Sequence, residues 1–272
     1  GCSFPDPAHA CADGVASAPR AASEHCIGRW LSRQRRDSVV IATKGCEFDY
    51  RAGFQPRVMP EHLRADIEGS LAALGTDHID LYWLHRDDPA QPVGVIVDAL
   101  IEQQRSGRIR HFGCSNWSVA RIQAAQRHAA SVAHEGFVAC QPMWGLAEPD
   151  RDAMQQFAPG GYYEDGYRAL HEAGLTMIPY SGQSRGIFTR LAAGQEESIA
   201  ADVRALYLSD TNRRKLGVLR EMALKHNATV NAVVLAYLTS QPFLTIPIIG
   251  ASSVAQLRES VASCALTLAP DE

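Results

Sequence analysis

Residues 60–85, PEHLRADIEGSLAALGTDHIDLYWLH, set a helical run and an extended run back to back, and that pairing decides the fold. Pro60 stands at a first-turn position, where its missing N–H is no loss, and Gly75 closes the helical pattern. Leu63, Ile67, Leu71 and Leu74 fall three or four apart and form one apolar stripe to lay on a sheet. After a short link, Ile79 to His85 is apolar and aromatic and ends on a histidine, the pattern of a buried strand.

The same alternation continues in both directions. The strand candidates are Ser3 to Asp6, Val39 to Lys44, Ile79 to His85, Ile109 to Ser115, Phe137 to Gln141, Thr176 to Ser181 and Thr245 to Ile249. Between them, Ser23 with Glu24 can cap EHCIGRWLSRQ, and Pro92 precedes a helix closed by Gly107. Ser118 opens VARIQAAQRHAA, Asp210 or Asn212 can cap RRKLGVLREMALKHN, Thr229 opens VNAVVLAYLTSQ, and Ser253 begins VAQLRESVAS. Strands alternating with helices make βαβ units on a parallel sheet, so the expected fold class is α/β, a (β/α)8 barrel. Eight strands close such a barrel and seven are legible, so the first β/α unit is expected to be absent, through truncation or as a partial barrel. The length suits one barrel domain over residues 1–272. The stretches 145–161 and 183–209 are polar and are expected to be loops over a binding mouth.

Hydrophobic residues make up 46% and charged residues 21%, as in globular proteins, and the net charge of −4 offers no long-range attraction to nucleic acid or anionic lipid. Neither a nucleic acid nor a membrane partner is expected. The basic clusters Arg33/Arg35/Arg36 and Arg213/Arg214/Lys215, flanked by Asp37 and Asp210, read as solvated faces. The 7 cysteines are scattered without a CxxC pair or metal-ligand spacing, which points to reduced thiols in a cytoplasmic protein and to no metal. The sequence is silent on oligomeric state.

Three of the extended runs end on groups that can do chemistry: Asp6 in FPDPAHAC, Lys44 in VVIATKG and His85 in IDLYWLH. Strand ends of one polarity converge on one rim of a parallel barrel. Buried there, a lysine and an aspartate pair, and a histidine beside the lysine stays neutral and can hydrogen-bond a carbonyl oxygen. Singly, each has a plainer reading: a turn aspartate before Pro7, a snorkelling lysine, a satisfied core histidine.

VVIATKG, LGTDHIDLYWLHRDDP, GRIRHFGCSNWS, CQPMWGL, YSGQSRGIF and IIGASSVAQLRES, in this order over nearly the whole chain, resemble successive core motifs of the aldo-keto reductase family. The likeness is strongest to bacterial members with a YSSQARG-like segment. It implies a barrel that binds NADP(H) in extended form, NAD(H) not being excluded, and reduces a small aldehyde or ketone by hydride transfer. Catalysis would fall to Asp6, Lys44 and His85. By the same likeness Ser115, Asn116 and Gln141 would hold the nicotinamide carboxamide and Tyr180 would stack on its ring. Ser181, Gln183 and Arg185 would follow the pyrophosphate. Gly250, Ser252, Ser253 and Gln256 would lie along the adenosine and its 2′-phosphate, with Ser260 where many members place an asparagine near the adenine. On their own residues, Ser115 and Asn116 also fit a helix-capping pair, Tyr180 a core position, and Gln256 and Ser260 surface positions.

The sequence departs from the family at two places. Cys11 stands where the family has its proton-donating tyrosine, and Pro7 replaces the threonine or serine after the aspartate. Two alternatives to a reductase therefore stay open: an NADP(H)-binding but redox-silent regulator or subunit, and a lyase or isomerase with Lys44 as base. A catalytic Cys11, its thiolate favoured by Lys44, stands beside a reading of Cys11 as a small buried hydrophobe.

Overall fold

A computed structural model describes residues 5–8, 21–49, 53, 55–157, 162–163 and 165–272. Their contacts divide the chain into two compact units, Gly1–Cys140 and Gln141–Glu272.

In the first unit, α1 (Ala22–Leu31) precedes β1 (Ala42–Gly45), followed by α2 (Pro60–Leu74), β2 (Ile79–Leu84), α3 (Val93–Arg105), β3 (Ile109–Ser115), α4 (Val119–Ser131) and β4 (Ala139–Gln141), which ends at the boundary. β1 pairs with β2 and β2 with β3, all parallel, with Lys44 opposite Trp83 and Trp83 opposite Gly113. Parallel neighbours joined by helices need both faces covered, and β1 and β2 are buried throughout. Gly113 is required to be small: a Cβ there would meet the Trp83 ring at 2.5 Å and the Ala139 carbonyl at 2.6 Å. α2 starts on Pro60 and stops on Gly75 at φ 65, as its sequence dictates. Of its stripe, Leu63, Ile67 and Leu74 are buried and Leu71 is half-buried.

Two expectations here need correction. Ser23 does not cap α1. The cap position is Ala21 in the left-handed region, and the Ser23 hydroxyl donates instead to the Ala8 carbonyl at 3.0 Å. The strand expected at Ser3 to Asp6 lies half outside the described residues. Within them the Pro5 carbonyl accepts from Ala42 N at 3.2 Å, so this segment runs beside β1.

The second unit contains α5 (Arg151–Phe157), α6 (Arg168–Glu172), β5 (Thr176–Met177), α7 (Ile187–Ala192), α8 (Ala201–Tyr207), α9 (Asp210–Lys225), α10 (Val230–Thr239) and α11 (Val254–Ala262). The segment expected to be a strand at Thr245 to Ile249 follows β5 without forming a regular ladder. Ile246 N donates to Met177 O at 2.8 Å and Ile248 N to Pro179 O at 2.8 Å, while Pro179 and Pro247 lack the donors that would complete it. The stretch 183–209 is not a polar loop. It folds as α7 and α8 because Ile187, Phe188, Leu191, Val203 and Leu206 are buried in this unit's core. α5 likewise occupies part of 145–161. Helix starts follow the sequence closely: Thr229 accepts from Ala232 N and Ser253 from Gln256 N, as Ser118 does from Arg121 N in the first unit. For α9 the cap is Ser209, one residue before the expected Asp210.

Candidate active site

The strand ends of the first unit gather a buried charged cluster. Lys44, at the end of β1, donates from Nζ to Asp6 Oδ2 at 2.5 Å and to the Pro7 carbonyl at 3.2 Å. Trp83 Nε1 donates to the other oxygen, Asp6 Oδ1, at 3.0 Å. Asp6 is thereby bonded through both oxygens, and the Lys44 ammonium is shared between a carboxylate and a carbonyl. A buried pair of this kind is held by its geometry, because either charge alone would be costly to bury.

His85 follows β2, with its amide donating to Gly45 O at 2.9 Å. Its Nδ1 is buried and lies 3.1 Å from Glu47 Oε2, off the linear hydrogen-bond direction. Burial pushes the imidazole pKa down to about 4; the Glu47 carboxylate opposes this, while Lys44 and Arg86 reinforce it. His85 is therefore neutral above that value. Glu47 is itself buried. Burial alone would raise its pKa, but His85 and Arg86 outweigh that and hold the carboxyl below its ordinary range. Its Oε1 accepts from Arg86 Nε at 2.8 Å and from Phe48 N at 3.0 Å.

Glu47 reaches His85 because the chain turns at Cys46, which adopts φ 61. Cys46 N donates to Asp66 Oδ2 at 2.8 Å, and Arg57 grips the same carboxylate with two hydrogen bonds, at 2.8 and 3.2 Å. Backbone in this region costs a non-glycine residue about 1 kcal/mol or more and persists only where its surroundings enforce it. Asn116, also in the left-handed region at φ 57, donates from Nδ2 to the His85 carbonyl at 3.1 Å and to Ser115 Oγ at 3.2 Å. Ser115 and Asn116 are thus not the capping pair of α4, a role Ser118 fills.

The second unit holds a separate cavity of about 650 Å³, lined by Ser181, Gln183, Arg185, Arg190, Asn231, Gly250, Ser252, Gln256 and Ser260 among others. Gln183 Nε2 donates to Asn231 Oδ1 at 2.8 Å and to Ser260 Oγ at 3.2 Å, and Ser260 is buried rather than on the surface. Ser181 and Arg185, which line the cavity, and Ser184 between them all have positive φ, so backbone strain is concentrated in this segment. Gln256 Oε1 accepts from both the amide and the hydroxyl of Ser252, at 2.8 and 2.9 Å, so an acceptor oxygen sits at the start of α11. Ser253 is spent on capping that helix. Gln141 is buried at the end of β4, and half-buried Tyr180 pairs with the segment after it through Tyr180 N to Pro142 O at 3.1 Å. Cys11 lies outside the described residues.

Residues of these sites that the sequence did not reveal include Glu47, Trp83, Arg86, Arg190 and Asn231. Trp83 carried a usable signal, since it stands two residues before His85 and so faces the same side of the strand. Among the described residues, no group of three or more His, Cys, Asp or Glu is arranged to hold a metal, and no helix is long and apolar enough to cross a membrane.

The profile of the aldo/keto reductase family matches residues 19–272. An uncharacterized oxidoreductase of Bacillus subtilis is 30% identical over 90% of this chain and 74% of its own length. An aldo-keto reductase of Strobilurus tenacellus is 28% identical over 100% of this chain and 75% of its own. Among solved structures, a thermostable aldo-keto reductase with the inhibitor epalrestat aligns at a TM-score of 0.69 and 24% identity, covering 98% of this chain and 78% of that one. The aldo/keto reductase of Klebsiella pneumoniae in complex with NADP and acetate aligns at a TM-score of 0.69 and 22% identity, over 99% and 77%. These two likenesses give the fold, α/β of the (β/α)8 aldo-keto reductase type.

Proposed function

The chain belongs to the aldo/keto reductase family and is a nicotinamide-dependent oxidoreductase, and from that premise we propose that it interconverts a small carbonyl compound and its alcohol with NADP(H). The observation that carries the reading is the buried Lys44–Asp6 pair with neutral His85 at the neighbouring strand end. The dinucleotide, when bound, supplies or accepts the hydride. This chain's residues do the rest. Asp6 holds the Lys44 ammonium in place, Lys44 provides fixed positive charge against a developing alkoxide, and His85 contacts the reacting oxygen and carries its proton.

The cavity of the second unit suits a dinucleotide's phosphate end. It offers the guanidinium groups of Arg190 and of Arg185, the latter paired with Asp202, together with serine hydroxyls, donors for an anion beside the Glu259 carboxylate on the same wall. The acceptor oxygen that Gln256 presents to Ser252 stands in for a phosphate oxygen there, and Gln256 is exposed enough to swing away. We assign Ser181, Gln183, Arg185, Gly250, Ser252, Gln256 and Ser260 to this end, while nicotinamide roles for Ser115 and Asn116 in the first unit, and for Gln141 and Tyr180 in the second, rest on the family resemblance alone.

Lys44 as the base of a lyase is disfavoured, because its ammonium is already donating to Asp6 and Pro7. The redox-silent reading keeps one observation in its favour, Cys11 in the place of the family's tyrosine. The test is to follow nicotinamide absorbance with NADPH and a panel of aldehydes and ketones, in wild type and in His85→Ala. Turnover that collapses in the variant is expected. Saturable NADPH binding with no turnover in wild type would favour the redox-silent reading instead.

A further inference from the structure

We propose that Glu47 is a positioning residue: its carboxylate fixes His85 as the tautomer protonated on Nδ1, leaving Nε2 to accept the hydroxyl proton of an alcohol substrate. The inference rests on the oxidoreductase reading above and sharpens it to a resting site poised for alcohol oxidation.

The argument is one of hydrogen-bond roles. Glu47 as a carboxylate has only lone pairs, and His85 Nδ1 lies buried 3.1 Å from Oε2, too poorly aligned for a linear hydrogen bond but close enough for charge to decide which nitrogen carries the proton. An unprotonated Nδ1 would set lone pair against lone pair, so the proton belongs on Nδ1. The carboxylate cannot turn away, because Oε1 is held by Arg86 Nε and Phe48 N. The turn that delivers it is braced in turn by Asp66 and Arg57 at Cys46. Nε2 is the ring nitrogen left for substrate, and the His85 side chain is 19% exposed. The charged groups that face the ring are Glu47, Lys44 and Arg86.

The step balances. The alcohol O–H breaks and its proton goes to His85 Nε2, while the carbinol C–H breaks and its electron pair leaves as hydride to the oxidised nicotinamide dinucleotide. A carbonyl forms, and His85 returns the proton to water. The reverse reaction starts from His85 protonated on both nitrogens, the same imidazolium that the oxidation step forms.

The test is long-range ¹H–¹⁵N correlation spectroscopy on the full chain without nucleotide at pH 7, with the His85 signals assigned by their loss in His85→Ala. A pyrrole-type Nδ1 and a pyridine-type Nε2 are expected, and the opposite tautomer would overturn the proposal. In Glu47→Gln the tautomer should shift or mix, with kcat for alcohol oxidation down by about 10²-fold and Glu47→Asp partly restoring both. An unchanged tautomer in Glu47→Gln would overturn the positioning role, and the wild-type spectrum stands alone if that variant fails to fold. An Nδ1–H tautomer together with no oxidation of any alcohol by NADP⁺ or NAD⁺ would instead sink the oxidoreductase reading, and the alcohol substrate with it.

Discussion

The two units solve opposite problems with polar groups. In the first, Asp6 with Lys44 and Glu47 with Arg86 form two little-exposed ion pairs beside a neutral histidine. In the second, the cavity side chains Gln183, Asn231 and Ser260 are neutral and satisfy one another, and the charged Arg185 is half-exposed and paired with Asp202. Buried charges keep a fixed field and tolerate little change, which suits proton and hydride chemistry. Neutral groups beside open space exchange partners cheaply, which suits taking up a ligand. Damage to the first cluster should therefore remove chemistry and stability together, and damage to the second should weaken binding alone.

The largest effect is expected from Lys44→Met. It leaves Asp6 buried without its cation and should cost about 3–5 kcal/mol in urea unfolding, with turnover reduced to background. Next is His85→Ala, for which turnover should fall by about 10²–10⁴-fold while NADPH fluorescence titration stays unchanged; a matching loss of binding would erase the contrast between the units.

Acid should expose the same contrast in stability. Folded His85 refuses a proton until about pH 4, whereas the unfolded chain binds it near pH 6.5. The unfolded state is thus the better proton acceptor between those values, and stability should fall as pH drops through that window, by up to about 3 kcal/mol. Thermal melts of wild type and His85→Ala from pH 7 to pH 4 should differ by this component.

Gly45→Ala should cost about 1–3 kcal/mol, since the new Cβ would meet the hydroxyl of fully buried Tyr82 at 1.9 Å. The smallest effect is expected in the second unit. Ser260→Ala removes one acceptor from Gln183 and should weaken NADPH binding several-fold, about 1 kcal/mol, with kcat unaltered.

What the sequence determined by itself is what local chemistry enforces. The alternation of strand and helix from β1 to α4, the stop at Gly75, and the caps at Ser118, Thr229 and Ser253 depend on neighbours a few residues away, and each is present as read. That Asp6, Lys44 and His85 stand at the ends of extended runs was legible as well, because a polar group ending an apolar run is a local signal, and the structure pairs Asp6 with Lys44. The helices within 183–209 were not legible, since their short apolar patches acquire meaning only once α9 and α10 bury them. Glu47 was hidden for a similar reason. In sequence it is one carboxylate in a polar turn, and only the left-handed turn at Cys46, held by an aspartate twenty residues on, carries it to the histidine. Tertiary structure decided the surroundings of His85, and burial among Glu47, Lys44 and Arg86 is what pushes its pKa down.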